Sequence, residues 1–325
     1  MDQKIKIDSK DEEILTQLDF NSRIPTAELA KKVGLSKQST DYRIKKLIKN
    51  SIIDGFFPVI NSPKLGYIYC RIFVQFKNLD QIQERELRKY IFNNKKMFWA
   101  FSLGGTYDYL FVYWVKSLTE FEKITSEFQE KFGKTIRNKL ENVITNVIHL
   151  SHKCFVDNPK VHQFDLKETN EIVTVDSIDK EIMKTLTLNA RAPIIEISRK
   201  TKIPPKVAAY RIKKLEEKGI IAGYRPIINY DKLGMTYFKV FFNIESSNPK
   251  EFNEFEKYLI AHPKIIFIVH GIGMPGNLDI ELLSKSNQDF FDFIKETKNK
   301  FPKLIADYNY LIYTNTIKVN YVSFY

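Results

Sequence analysis

The chain repeats itself, and that constrains its folding more than any other feature. At an offset of 168 residues, positions 8–66 align without a gap to 176–234, and 26 of the 59 positions are identical. Asp8-Ser9 returns as Asp176-Ser177, and Lys64-Leu65-Gly66 as Lys232-Leu233-Gly234. Tyr42-Arg43-Ile44-Lys45-Lys46-Leu47 returns unchanged as Tyr210 to Leu215. Solenoid repeats run about 20–45 residues, so a period this long means duplicated domains. The polar stretch 157–175, opening Asp157-Asn158-Pro159, reads as the linker between copies.

Each copy begins with three short helical patterns. Asp8 suits an N-cap, with Asp11, Glu12 and Glu13 near the positive helix end and Ile14, Leu15 and Leu18 as the apolar stripe. A second helix starts near Pro25-Thr26 and buries Leu29, Ala30 and Val33. Gly34-Leu35 interrupts, and Ser36 caps a third helix whose inward positions are Thr40, Ile44 and Leu47. Two helices joined by a tight glycine-containing turn form a helix-turn-helix. Ile52-Ile53-Asp54-Gly55-Phe56-Phe57 then reads as a β-hairpin wing, because Asp-Gly favours a two-residue turn.

The rest of each copy changes character. Segments 68–76, 98–103, 109–115 and 143–150 are rich in strand formers. Leu118, Phe121, Ile124, Phe128 and Phe132 recur at helical steps between them. Corresponding strands are expected near 237–244, 265–271, 279–283 and 310–322. The order is strand, helix, strand, strand, helix, strand. The fold class is α+β: two copies of a winged helix-turn-helix followed by a ferredoxin-like βαββαβ domain. The expected units are 1–62 (winged helix-turn-helix), 63–156 (ferredoxin-like), 157–175 (linker), 176–230 (winged helix-turn-helix) and 231–325 (ferredoxin-like).

The formal charge is +12, which favours anionic partners without choosing among them. Its placement is more telling. Residues 26–50 hold seven Lys/Arg against two acids, and 194–218 hold eight against three. Both excesses fall on the elements that a helix-turn-helix presents to double-stranded DNA. The candidate DNA contacts are Ser36, Lys37, Gln38, Ser39, Tyr42, Arg43 and Lys45 in the first copy, and Lys206, Tyr210, Arg211 and Lys213 in the second. Gln38 suits an adenine edge, and Lys37 and Lys45 suit phosphate or guanine. Arg43 suits phosphate or a brace to the wing. The second helix is the poorer reader, since Pro204 and Pro205 carry no N–H to offer phosphate.

These residues resemble the Lrp/AsnC (feast/famine) regulators: Glu28-Leu29-Ala30, Gly34-Leu35-Ser36, Arg43 to Leu47 and Ile52-Ile53-Asp54-Gly55-Phe56. So do Arg211 to Glu216 and Gly219 to Tyr224 in the second copy. Gly105-Thr106-Tyr107-Asp108 looks like the Gly-x-x-Asp turn of that family's sensor domain, often called RAM, and Gly276-Asn277-Leu278-Asp279 looks like its counterpart. The resemblance implies DNA binding, pairing through sensor sheets and often an amino-acid effector near that turn. Gly105, Thr106, Asp108, Gly276 and Asp279 are therefore the effector candidates. Family members normally carry one unit per chain, so the two sensors here are expected to pair within the chain as a pseudo-dimer. Higher homo-oligomers stay open.

Other classes lack their signatures. Cys70 and Cys154 have no metal-ligand spacing, and the five histidines form none. No cofactor, metal or catalytic residue is expected. No apolar run reaches the ~18–20 residues of a membrane span, and the chain reads as cytoplasmic. The alternatives are a siroheme-decarboxylase-like enzyme, for which His262 and His270 are available, and a chromatin-like DNA binder without effector.

Overall fold

The computed structural model describes residues 5–156, 161–245 and 248–321. Helices α1 (Ser9–Phe20), α2 (Thr26–Lys32) and α3 (Lys37–Lys49) lead into strand β1 (Ile53–Ile60). The first sensor follows as β2 (Ile68–Phe76), α4 (Gln81–Asn93), β3 (Met97–Gly105), β4 (Tyr109–Val115), α5 (Leu118–Phe132) and β5 (Ile136–Leu150). Strand β6 (Gln163–Lys167) comes next. The second copy comprises α6 (Ser177–Leu188), α7 (Ile194–Thr201), α8 (Pro205–Glu217) and β7 (Ile221–Ile228). Its sensor is β8 (Thr236–Ile244), α9 (Pro249–Ala261), β9 (Ile265–Ile272), β10 (Leu278–Ser284), α10 (Asn287–Lys300) and β11 (Ile305–Val319).

Local chemistry accounts for the helix starts. The Asp8 side chain accepts from the Asp11 N–H, and Ser36 accepts from the Ser39 N–H. Each satisfies a donor that the helix itself leaves free. Thr40, Ile44 and Leu47 are buried on the inward face of α3, as the helical spacing requires. Leu15, Leu18, Leu29 and Val33 close the same core.

The expected hairpin wing does not form. Among the described residues β1 pairs with β7 of the other copy, antiparallel, from Gly55↔Ile227 through Phe57↔Arg225 to Val59↔Gly223. A type I′ turn needs positive φ at both central residues, and neither Asp54 nor Gly55 has it. Phe57 and Arg225 are equivalent positions of the repeat, since 57 + 168 = 225, and they face each other. The ladder is therefore symmetric about a pseudo-two-fold axis. Two clasps obey the same axis: Arg23 Nη1 donates to the carbonyls of Ala190 and Ala192, and Arg191 Nη1 to those of Ser22 and Ile24.

The sensor halves pair by the same rule. The first sheet runs β5-β2-β4-β3 and the second β11-β8-β10-β9. β3 pairs with β11 and β5 with β9, so the two sheets join at both edges and close a ring of eight strands. Closure removes the unpaired edges that an isolated sensor sheet exposes. Outward residues Cys70, Ile72 and Val74 pack with Leu87, Ile91 and Phe128 of the helices. Inward residues point into the ring, where Phe73 meets Phe241 of the second copy. The segment expected to be a plain linker contributes to this assembly. Gln163–Lys167 forms β6, paired with Asn146–Leu150 of β5, with Phe164 and Leu166 buried; residues 157–160 lie outside the described residues. Among the described residues no helix is long and apolar enough to cross a membrane.

Candidate functional site

The two reading helices present different surfaces. On α3, Ser36, Lys37, Gln38, Tyr42 and Lys45 are exposed, Ser39 is half-buried, and Tyr42 is 67% exposed. On α8, Lys206, Tyr210 and Lys213 are exposed. Pro204 caps α8 without a side-chain hydrogen bond, and Pro205 is its first residue. The start of α8 therefore offers fewer donors to a phosphate than the Ser36-capped start of α3. Lys45 pairs with Asp41 at 2.7 Å across one turn, an exposed contact that a phosphate can outcompete.

Arg43 and Arg211 are engaged elsewhere. Arg43 Nη1 donates to Asp8 (2.8 Å) and Asp11 (2.7 Å), tying α3 to the start of α1. Arg211 repeats this with Asp176 (2.7 Å) and Asp179 (2.9 Å). They brace helix to helix, rather than reaching a wing or free solvent.

The two sensor turns are not equivalent. Gly105 (φ +125°) sits where a Cβ would lie 3.2 Å from the Tyr310 carbonyl, so close passage of β11 demands glycine. Thr106 is exposed, and Asp108 Oδ2 accepts from the Phe76 N–H at 2.7 Å. Gly276 (φ +61°) has its Cβ position blocked by the Phe242 carbonyl. Asp279 lies inside β10, not in a turn. It is fully buried, 2.6 Å from both Arg71 Nη2 and Lys239 Nζ. Asp279 stands opposite Phe241, the place that Leu110 takes opposite Phe73 in the first sensor, and its carboxylate is occupied by ion pairs inside the ring.

Sequence reasoning missed the interior of the ring. Arg71 and Lys239 are equivalent positions, since 71 + 168 = 239, and a cation recurring amid apolar strand residues was the available signal. Lys239 also contacts Glu281 at 2.7 Å, which accepts from Tyr313 at 2.7 Å and from Tyr237. Nearer the β1–β7 ladder, Arg225 Nε donates to Asp19 Oδ1 (2.7 Å) and its Nη2 to the Leu150 carbonyl (2.9 Å). The His152 N–H donates to Asp19 Oδ2 at 2.6 Å, and His152 Nε2 lies 2.7 Å from the Tyr230 hydroxyl. Arg71, Glu281, Arg225, His152 and Tyr230, with many rings, line a cavity of about 510 Å³, to which all eight ring strands and the β1–β7 ladder contribute.

Burial sets the protonation of this region. It lowers His149 to about 3, helped by the Arg225 charge and opposed by Asp19. It also lowers His152. The folded state therefore keeps His149 neutral while the unfolded chain takes up a proton below about pH 6.5. Stability should fall as the pH drops through that window, with a slope of roughly 1.4 kcal/mol per pH unit for this one group. Urea melts between about pH 7 and pH 4 should show the slope, and His149→Leu should flatten it by that amount. An unchanged slope in the variant would show that His149 titrates normally.

Comparison with known proteins agrees with this architecture. Residues 7–48 match the AsnC-type helix-turn-helix domain, and residues 175–222 match a winged helix-turn-helix DNA-binding domain. An uncharacterized HTH-type transcriptional regulator of Pyrococcus furiosus is 35% identical over 135 residues, covering 41% of this chain and 86% of that protein. The chain belongs to the Lrp/AsnC family of transcriptional regulators. The proline dehydrogenase transcriptional activator of Rhodobacter capsulatus is 30% identical over 124 residues, 37% of this chain and 79% of that one. Each match has the length of one unit, so this Lrp/AsnC protein carries two. It is a DNA-binding transcriptional regulator. The siroheme decarboxylase NirDL shares the whole layout, with a TM-score of 0.62 over 97% of this chain and 94% of that one, at 14% identity. That likeness is one of fold; the relatives sharing 30% or more of their residues are regulators, and the enzyme alternative gives way to them.

Proposed function

We propose that one chain acts as a sequence-specific regulator in the role that a dimer of single units fills, presenting two unequal reading helices to an operator. The observation that carries this reading is the β1–β7 ladder, centred on Phe57 and Arg225, with the Arg23 and Arg191 clasps beside it. They make α3 and α8 pseudo-two-fold mates, the geometry with which paired helix-turn-helices read successive half-sites. Lys37, Gln38, Ser39, Tyr42 and Lys45 read bases and phosphates on α3; Lys206, Tyr210 and Lys213 hold mostly phosphate on α8. DNA selected from random sequence and then footprinted should show one well-defined half-site and one loose one. Two equally specific palindromic halves would overturn the asymmetry, and binding without sequence preference would favour a chromatin-like role.

We also propose that a small metabolite of the amino-acid class acts at the Gly105-to-Asp108 turn, where Thr106 is exposed. A ligand that binds only the folded state raises its melting temperature. A panel of amino acids should therefore contain at least one stabilising member whose effect is lost in Thr106→Ala, and a flat panel would count against this site.

A further inference from the structure

The cavity inside the ring lies on the pseudo-two-fold axis, and its two sides have diverged. His149 pairs with Phe267 across β5 and β9, just as Val319 pairs with Trp99 across β11 and β3. Phe267 and Trp99 are equivalent positions of the repeat, since 99 + 168 = 267. Arg225 hydrogen-bonds to His152 on one side, whereas Phe57 stacks on Tyr321 on the other, with ring centroids 4.1 Å apart. One side of the cavity thus presents His149, His152 and Arg225, and the matching places opposite hold Val319, Tyr321 and Phe57. A dimer of identical units would have to make both sides alike. Duplication in one chain removed that constraint.

We infer that this cavity is a binding site for a single flat, asymmetric, uncharged aromatic metabolite whose polar group meets His149. Four observations support the class. Size is the first: about 510 Å³ lies within the range of small-molecule sites. Shape chemistry is the second: Trp99, Phe101, Tyr237, Phe267 and Tyr313 line the walls, and stacked or edge-on rings accept a flat partner. Charge is the third. Arg71, Lys239 and Arg225 stand against Asp279, Glu281 and Asp19, and Asp54 and Asp231 also line the cavity, so the interior has no surplus cation for an anion. The fourth is an open valence. His149 lines the cavity; its Nδ1 is closed off and unpartnered, and its Nε2, which makes no hydrogen bond to the described residues, is the nitrogen left for a ligand. A neutral imidazole carries one donor and one acceptor, so a ligand carbonyl, amide or hydroxyl supplies what the protein does not. The site differs from the Gly105-to-Asp108 turn. It also touches the β1–β7 ladder, and through Arg225 and Asp19 it reaches α1 of the first DNA-binding domain.

The test uses the full chain without DNA, so its outcome is separate from that of the operator reading. N-phenyl-1-naphthylamine, an uncharged fluorescent aromatic, is titrated while energy transfer from tryptophan is followed. One saturable site per chain is expected. Indole-3-acetamide and 3-methylindole should both displace the probe. The amide should bind about tenfold more tightly, the worth of one good hydrogen bond in a buried site. That advantage should vanish in His149→Leu, while the probe itself still binds. Should His149→Leu fail to fold, Val112→Trp on the β4 wall is read instead and should weaken probe binding at least about tenfold, the scale expected when the space itself is filled. Absence of a saturable site, equal affinity for the two indoles, or an amide advantage that survives His149→Leu would each overturn the inference. So would undiminished probe binding by Val112→Trp.

Discussion

Asp279→Ala should destabilise the protein by about 3–5 kcal/mol, the scale found when one member of a buried ion-pair cluster is removed. Asp279 lies 2.6 Å from Arg71 and 2.6 Å from Lys239, and none of the three is more than 4% exposed. Arg71 belongs to the first sensor and Lys239 and Asp279 to the second, so the cluster spans the two sheets. Without the carboxylate, Arg71 keeps Asn142 (2.8 Å) and Lys239 keeps Glu281 (2.7 Å), but one positive charge is left uncompensated. Urea unfolding of the variant measures the loss, and Asp279→Asn should fall between it and the parent. A change below about 1 kcal/mol would mean that water or relaxation replaces the pair. Burial alone would raise the Asp279 pKa, but the Arg71 and Lys239 charges outweigh it and hold the carboxyl below its usual range. Its contribution is therefore complete above the ordinary carboxylate pKa and is lost only as the pH falls through the depressed value.

The second large effect concerns DNA. Lys37→Ala combined with Lys45→Ala should lower the slope of log affinity against log salt by roughly 2, since each lost phosphate contact releases about 0.9 fewer counterions. Referred to ~1 M salt, that is a loss of roughly sixtyfold at ~0.1 M. Arg43→Ala should behave differently despite lying on the same helix. Its guanidinium is held by Asp8 and Asp11, and Asp11 is itself buried. Removing it should leave the salt slope unchanged and cost about 1–3 kcal/mol of stability, the penalty for stranding a buried acceptor. Filter binding across a salt series, paired with urea melts, separates the two outcomes. An unchanged slope in the lysine double variant would place the DNA elsewhere on the protein.

Helix boundaries were legible because they depend on neighbours in the chain. Asp8 and Ser36 cap helices through residues three positions on, and Thr40, Ile44 and Leu47 turn inward by helical period alone. The strands of each sensor were legible in type for the same reason, though β5 (Ile136–Leu150) begins seven residues before the expected 143. Its early residues pair with β2, a partner that composition does not reveal. The hairpin does not form because Asp54-Gly55 favours a turn only through its immediate neighbours, whereas β7 of the other copy offers a longer ladder. Asp279 was misplaced for a related reason. Its Gly-x-x-Asp spacing matches that of Asp108, whereas the ladder sets it opposite Phe241, the place of Leu110 opposite Phe73 in the first sensor.

By itself the sequence determined that there are two copies, what each contains, and which helices carry the positive charge. Those properties follow from identity at a fixed offset, from periodicity and from caps, all of which act over a few residues. The tertiary structure alone decided that the copies close one eight-stranded ring and that Arg71 meets Asp279 inside it. It also decided that His149, His152 and Arg225 gather on one side of a shared cavity. These groups lie up to 208 residues apart. Their pairing is dictated by burial of charge and by strand register between copies, neither of which leaves a mark on any local stretch of chain.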